Sequence, residues 1–172
     1  REVYIPEDLF QELREAVFEK ERLIEVKVSI NNQVIRWLDI RFPEFGSVFC
    51  KWHGHAALMA LKNFPTPEKV LKAGVDKIVA TWKEEISRAI GRKHAEKLVN
   101  AAGKSVGRTT GTISAEASLR NLINQYEMLM RQIEEQEALM LELLLRVPNA
   151  KELLEIKGVG LNAVATFVSE VG

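Results

Sequence analysis

One cysteine, Cys50, is all that 172 residues contain, so no internal disulfide framework staples the chain. No apolar run approaches the roughly 18–20 residues of a membrane span, and no secretion signal stands at the start. A surplus of charge is lacking too, because 24 Lys and Arg balance 24 Asp and Glu. The overall balance therefore argues neither for nor against an anionic partner, and the distribution along the chain has to carry that question. Paired carboxylates placed for acid–base work and a nucleophilic serine on a strand-to-helix elbow are likewise missing. These absences lead to the expectation of a cytoplasmic protein, bacterial or archaeal, with no membrane contact and no catalytic residue in this stretch. Because it opens at Arg1 without Met and stops at Gly172 as another segment begins, it is expected to be an interior piece of a longer protein.

What the chain has in quantity is helical periodicity. Glu7 and Asp8 after Pro6 mark a helix start, since proline suits the first helical position and carboxylates favour the positive end of the helix dipole. Phe10, Leu13, Val17, Ile24, Val28, Ile35 and Leu38 then recur at helical spacing until Pro43 ends the run, with Glu21 and Asn31 interrupting the stripe. Shorter helices follow. Ala56 to Asn63 is one, Thr66 is placed to cap the next, Gly74 reads as a C-cap, and Gly91 separates Asp76–Ile86 from Arg92–Asn100. Gly107 to Thr112 is a loop rich in Gly and Thr.

Beyond that loop lies the strongest periodic signal. Leu119, Tyr126, Ile133, Met140 and Val147 fall seven apart, and Leu122, Leu129, Gln136 and Leu143 fill the second heptad position. Two helices of about 32 residues would each be about 50 Å long. The expected fold is all-α: two long helices forming an antiparallel hairpin or coiled coil, a cluster of short helices, and a C-terminal helix-hairpin-helix. In linear order these are residues 1–43, 44–107 with a basic face, 108–147 and 148–172. Heptads do not say which chain supplies the partner helix, so Leu119, Leu122, Tyr126, Leu129, Ile133, Met140 and Leu143 are candidates for self-association and equally for packing within one bundle.

Charge is segregated along the chain. Between Lys83 and Arg108 seven basic residues stand against three acidic ones, and Arg88, Arg92, Lys93, Lys97, Lys104 and Arg108 form a candidate surface for nucleic-acid phosphates. After Pro148 the run Ile156-Lys157-Gly158-Val159-Gly160 has the form of a hairpin between two helices. Glycines permit close approach of backbone amides to a phosphate, and Lys157 adds mobile charge; the alternative is a simple packing corner. Cys50, His53 and His55 match no closed zinc spacing, so no metal site is expected. Trp37, Trp52 and Trp82 read as core residues rather than a base-stacking set.

The order of several short motifs also resembles one family. They are Leu13-Arg14, Arg22-Leu23, Asn31 or Asn32, the Leu38–Glu44 stretch ending in Phe42-Pro43-Glu44, and Phe64-Pro65-Thr66-Pro67. Arg92-Lys93 with Ala95-Glu96, Ala101-Ala102 with Ser105-Val106-Gly107, and Ile156–Gly160 with Ala163 and Ala165 complete the series. Taken together they resemble the insertion-sequence transposases of the IS-one-ten class, which are guided by a structured bridge RNA. The resemblance covers nearly the whole chain. It implies a parent DNA transposase with an upstream RuvC-like domain carrying an acidic metal-binding tetrad and a downstream domain carrying a catalytic serine. This stretch would connect the two, need no cofactor itself, and have DNA, structured guide RNA and further copies of itself, as a homodimer or higher oligomer, for partners. None of the family's catalytic residues falls here, so Ser105, Ser114 and Ser169 are not nucleophiles. Leu161 and Asn162 depart from the family's usual proline or small polar residue after the second hairpin glycine. The rival readings are a purely structural spacer or a dimerisation module without nucleic-acid binding.

Overall fold

The computed structural model of the chain describes residues 7–85 and 91–171. Every regular element among them is helical: α1 (Glu7–Arg41), α2 (Phe45–Val48), α3 (His55–Asn63), α4 (Pro67–Glu85), α5 (Arg92–Gly103), α6 (Thr112–Leu144), α7 (Ala150–Leu154) and α8 (Leu161–Val171). Pro6 lies outside the described residues. At the far end of α1 the Phe42 amide still reaches the Leu38 carbonyl at 2.7 Å, and Pro43 then has no amide with which to continue. Thr66 does cap α4: its Oγ1 accepts the Lys69 amide at 3.4 Å. Gly74 interrupts α4, with φ 70° and ψ 171° between two helical segments, a backbone that favours glycine.

The stripe that α1 buries coincides only in part with the one its apolar spacing suggested: Leu13 and Leu38 are buried, and Phe10 and Val17 pack partly buried against the core. Leu13, Ala16, Leu23, Ile30, Val34 and Trp37 are buried, together with Lys20, whereas Val28 and Ile35 are 50% and 42% exposed. The buried set follows a three-four spacing rotated by one residue. A lysine within it disguised the pattern, because a polar residue at a core position scores against the face that is in fact covered.

The described chain forms two compact units, one of residues up to 29 and from 125 onward, the other of residues 30–124. Helices α1 and α6 each contribute to both, and the first unit joins residues far apart in sequence. In the first unit, Leu13 and Ala16 pack with Met140, Leu143 and Leu144 of α6 and with Val164, Ala165 and Val168 of α8. Gln136, the polar exception in the heptads, is used there: its Nε2 donates to the Ala16 carbonyl at 3.1 Å.

In the second unit the core is aromatic. Phe42, Phe45 and Phe49 contact one another in series, and Phe49 meets Trp82 edge-on with centroids 6.2 Å apart. Each tryptophan is buried with its indole N–H satisfied. Trp37 donates to the Ala115 carbonyl at 2.9 Å, Trp52 to Asn31 Oδ1 at 2.8 Å, and Trp82 to the Ala56 carbonyl at 3.2 Å. Bases have no access to these rings.

Candidate nucleic-acid interface

Helix α5 is amphipathic for a simple reason: Ala95, Leu98 and Ala102 turn inward, which leaves the charged positions outside. At about 100° per residue Lys93 and Lys97 lie about 40° apart on one outer face. Both are exposed, as is Lys104 at the C-cap. Lys97 and Lys104 border a shallow hollow with Glu44 and Ser47. Arg92 belongs elsewhere. Its Nη1 lies 2.8 Å from Asp76 Oδ1 and its Nε 3.4 Å from Glu96 Oε1, so two carboxylates already neutralise it. Arg92, Lys93 and Lys97 of this helix therefore do not share one patch. Arg88 lies outside the described residues.

The loop that carries Arg108 is held through its backbone. The Arg108 amide donates to the Ile40 carbonyl at 2.8 Å, and Arg41 Nη1 reaches the carbonyls of Arg108 and Thr110 at 3.2 and 2.5 Å. Next to it, Glu44 Oε1 accepts the Val106 amide at 3.0 Å. Burial by itself pushes the Glu44 carboxyl up, but the Ser105 hydroxyl and the Val106 amide outweigh it, and the net direction is downward. Gly107 passes so close to α1 that a Cβ would stand 2.0 Å from the Arg41 carbonyl oxygen. Sequence reading placed the glycine in a Gly- and Thr-rich loop without assigning it a contact. Its cause is contact, and only the tertiary structure reveals it.

At the other candidate element, α7 and α8 are joined by residues 155–160. Gly158 has φ +93°, which favours glycine, and the Val159 amide closes the turn on the Ile156 carbonyl at 3.1 Å. Gly160 needs no such freedom. A Cβ there would meet nothing within 4 Å, and the residue is exposed along with Lys157 and Gly158. Helix α8 forms its first internal bond from the Val164 amide to the Gly160 carbonyl at 3.2 Å. The amides of Leu161, Asn162 and Ala163 precede it and have no acceptor within the helix.

Asn162 makes a structural contact. Its Oδ1 accepts from the Nζ of Lys20, a buried lysine that also lies 2.5 Å from Glu137 Oε1. Sequence reading missed Lys20; the available signal was a lone cation at helical spacing between Ala16 and Leu23. Arg14 Nε adds a 2.5 Å bond to the Ser169 carbonyl, so α8 is tied to α1 at both ends.

The heptad residues are interior. Leu119, Leu122, Tyr126, Leu129, Ile133, Met140 and Leu143 are all below a tenth exposed within the single chain. Burial also pushes the Tyr126 phenol up. A partner copy can reach these side chains only after the chain's own packing opens. Cys50 is exposed, and among the described residues no three His, Cys, Asp or Glu side chains come together as a metal site. No helix among them is long and apolar enough to cross a membrane. No protein-family model, curated protein or solved structure matches the chain.

Proposed function

We propose that this stretch is the non-catalytic connector of a transposase-type recombinase. In this reading it binds the phosphate backbone of DNA or a structured guide RNA through Lys93, Lys97 and Lys104 and through the turn at 157–160. Helices α7 and α8 then act as a helix-hairpin-helix. The long helices act as an antiparallel hairpin, supported in one unit by Ala16 with Gln136 and in the other by Trp37 with Ala115. The divalent metal and the catalytic residues belong to flanking domains of the parent.

The observation that carries the reading is the exposed turn. Gly160 has neither a backbone strain nor a neighbour that demands glycine, while the first amides of α8, which have no acceptor within the helix, follow it and Lys157 precedes it. A phosphate approaching those amides supplies the missing reason for the absent side chain.

Fluorescence-anisotropy titrations against duplex DNA and a structured RNA at several salt concentrations test it. Affinity should fall steeply with salt, and neutralising Lys93, Lys97 and Lys104 together should reduce the duplex log–log slope by about 2–3. Arg92→Gln should change it less. Gly160→Ala should keep the thermal unfolding profile and weaken binding. Binding that is absent or insensitive to salt sinks the proposal and leaves the spacer. That second reading draws on the burial of the heptad stripe, which packing within one chain explains completely.

A further inference from the structure

The two large apolar side chains that stand furthest into solvent among the described residues are Val106 and Ile113, 85% and 88% exposed. One lies in the loop between α5 and α6, the other in the first turn of α6. That loop is not slack. The Val106 amide donates to Glu44 Oε1 at 3.0 Å, the Arg108 amide to the Ile40 carbonyl at 2.8 Å, and the Arg41 guanidinium to the carbonyls of Arg108 and Thr110. Thr112 Oγ1 closes the far end on the Thr109 carbonyl at 2.7 Å, and Gly107 lies against the Arg41 backbone. Ile113 is about 160° around α6 from the buried Ala115, so it stands on the outer side of the helix. Single exposed aliphatic residues are ordinary on a protein surface. The two extremes of the described chain at the two ends of one pinned segment are not explained by packing.

Charge says what they meet. Residues 97–115 hold Lys97, Lys104 and Arg108 and no acidic residue. All three cations are exposed, and none of them is in an ion pair among the described residues. The Glu44 carboxylate beside them is turned inward, with Oε1 on the Val106 amide and Oε2 buried. A rigid cationic loop with aliphatic tips fits a polyanion whose apolar interior is reached between its charges. Duplex DNA has that form, because apolar side chains can wedge between base steps in the minor groove while Arg and Lys hold the phosphates on either side. A bilayer fits less well, since Val106 and Ile113 together offer it less apolar surface than one myristoyl chain, which by itself anchors only marginally. We infer that the segment 104–113 is a wedge for duplex DNA: Val106 and Ile113 press against base steps in the minor groove, and Lys104 and Arg108 hold the flanking phosphates. This assignment rests on the phosphate-backbone reading above and adds to it a contact with the bases and a bend in the duplex.

The test is a titration of the whole chain into a duplex that carries 2-aminopurine at its central steps and a fluorescence donor and acceptor at its ends. Emission from 2-aminopurine should rise as steps unstack, and energy transfer between the ends should increase as the duplex bends. The double variant Val106→Ser with Ile113→Ser changes two side chains that pack against nothing, so it should keep the parent's circular dichroism and the salt slope of its binding. It should lose both signals and bind about three- to tenfold more weakly. Arg108→Gln should lower the salt slope by about 1, and an unchanged slope overturns its place at a phosphate. Salt-sensitive binding by the parent chain with neither signal, or with signals that the double variant retains, overturns the wedge and leaves the backbone reading standing. No binding of the duplex at any salt overturns both. Binding to vesicles of phosphatidylserine and phosphatidylcholine that the double variant loses, with no unstacking of the duplex, overturns the wedge and assigns the segment to a membrane surface.

Discussion

Lys20 and Asn162 are 142 positions apart, yet the Lys20 ammonium donates to the Asn162 side-chain oxygen while Glu137 stands 2.5 Å from the same nitrogen. A buried cation thus links α1, α6 and the first turn of α8. The residues that orient the 157–160 turn are consequently not in the turn. They lie in a helix that begins the chain and in the end of the long second one.

Lys20→Met should therefore loosen α8. Lost hydrogen bonds to a charged group cost about 1.5–3 kcal/mol each, offset here by the apolar side chain that replaces it. Amide hydrogen exchange should speed up across residues 161–171 with little change in α4 and α5. Uniform protection in the variant would show that apolar packing of Val164, Ala165 and Val168 suffices.

Leu129→Asp places a carboxylate at a position 5% exposed, and such a change destabilises by roughly 3 kcal/mol or more. Circular dichroism should show lost cooperativity or a lowered Tm. Val28→Asp, at an exposed position of α1, should leave folding within about 0.5 kcal/mol. A folded Leu129→Asp chain that merely changes from oligomer to monomer in sedimentation would restore the heptads as an interface.

Gly107→Ala forces a methyl to within 2.0 Å of the Arg41 oxygen unless the loop moves, and should destabilise by about 2 kcal/mol or more. Gly46→Ala is the control. It lies in α2 with nothing within 4 Å of the added carbon, and should be neutral or stabilising by about 0.5–1 kcal/mol. Equal Tm values for both variants would contradict the close approach.

Glu44 gives a pH dependence of known sign. Its carboxyl is held below its ordinary value, so its contribution is present above the unfolded value of about 4.3 and is lost as pH falls through the depressed folded one. Glu44→Gln should be less stable than the parent near neutrality and converge with it in acid. A difference independent of pH would assign Glu44 a packing role only.

Much of the architecture was legible in linear form. The helical periods, Thr66 as a cap, Pro43 as a stop and the Gly107–Thr112 loop all act within a few residues, where backbone sterics and capping dominate. The heptads of α6 were legible for the same reason, since an apolar residue every three or four positions marks a covered face whatever covers it. The face of α1 was legible only in part, through Leu13 and Leu38, because Lys20 interrupts the rest of it and has its partners more than a hundred residues away. The division of the basic residues, in which Asp76 withdraws Arg92 from Lys93 and Lys97, was not legible.

The sequence by itself determined that this chain is helical, where most helices start and stop, and which face of α6 is covered. Only the tertiary structure decided what covers them, why residue 107 must be glycine while residue 160 need not be, and which charges remain open to a partner. The physical reason is range: helix propensity and capping are local, whereas burial, ion pairing and steric contact depend on neighbours that the chain brings together only by folding.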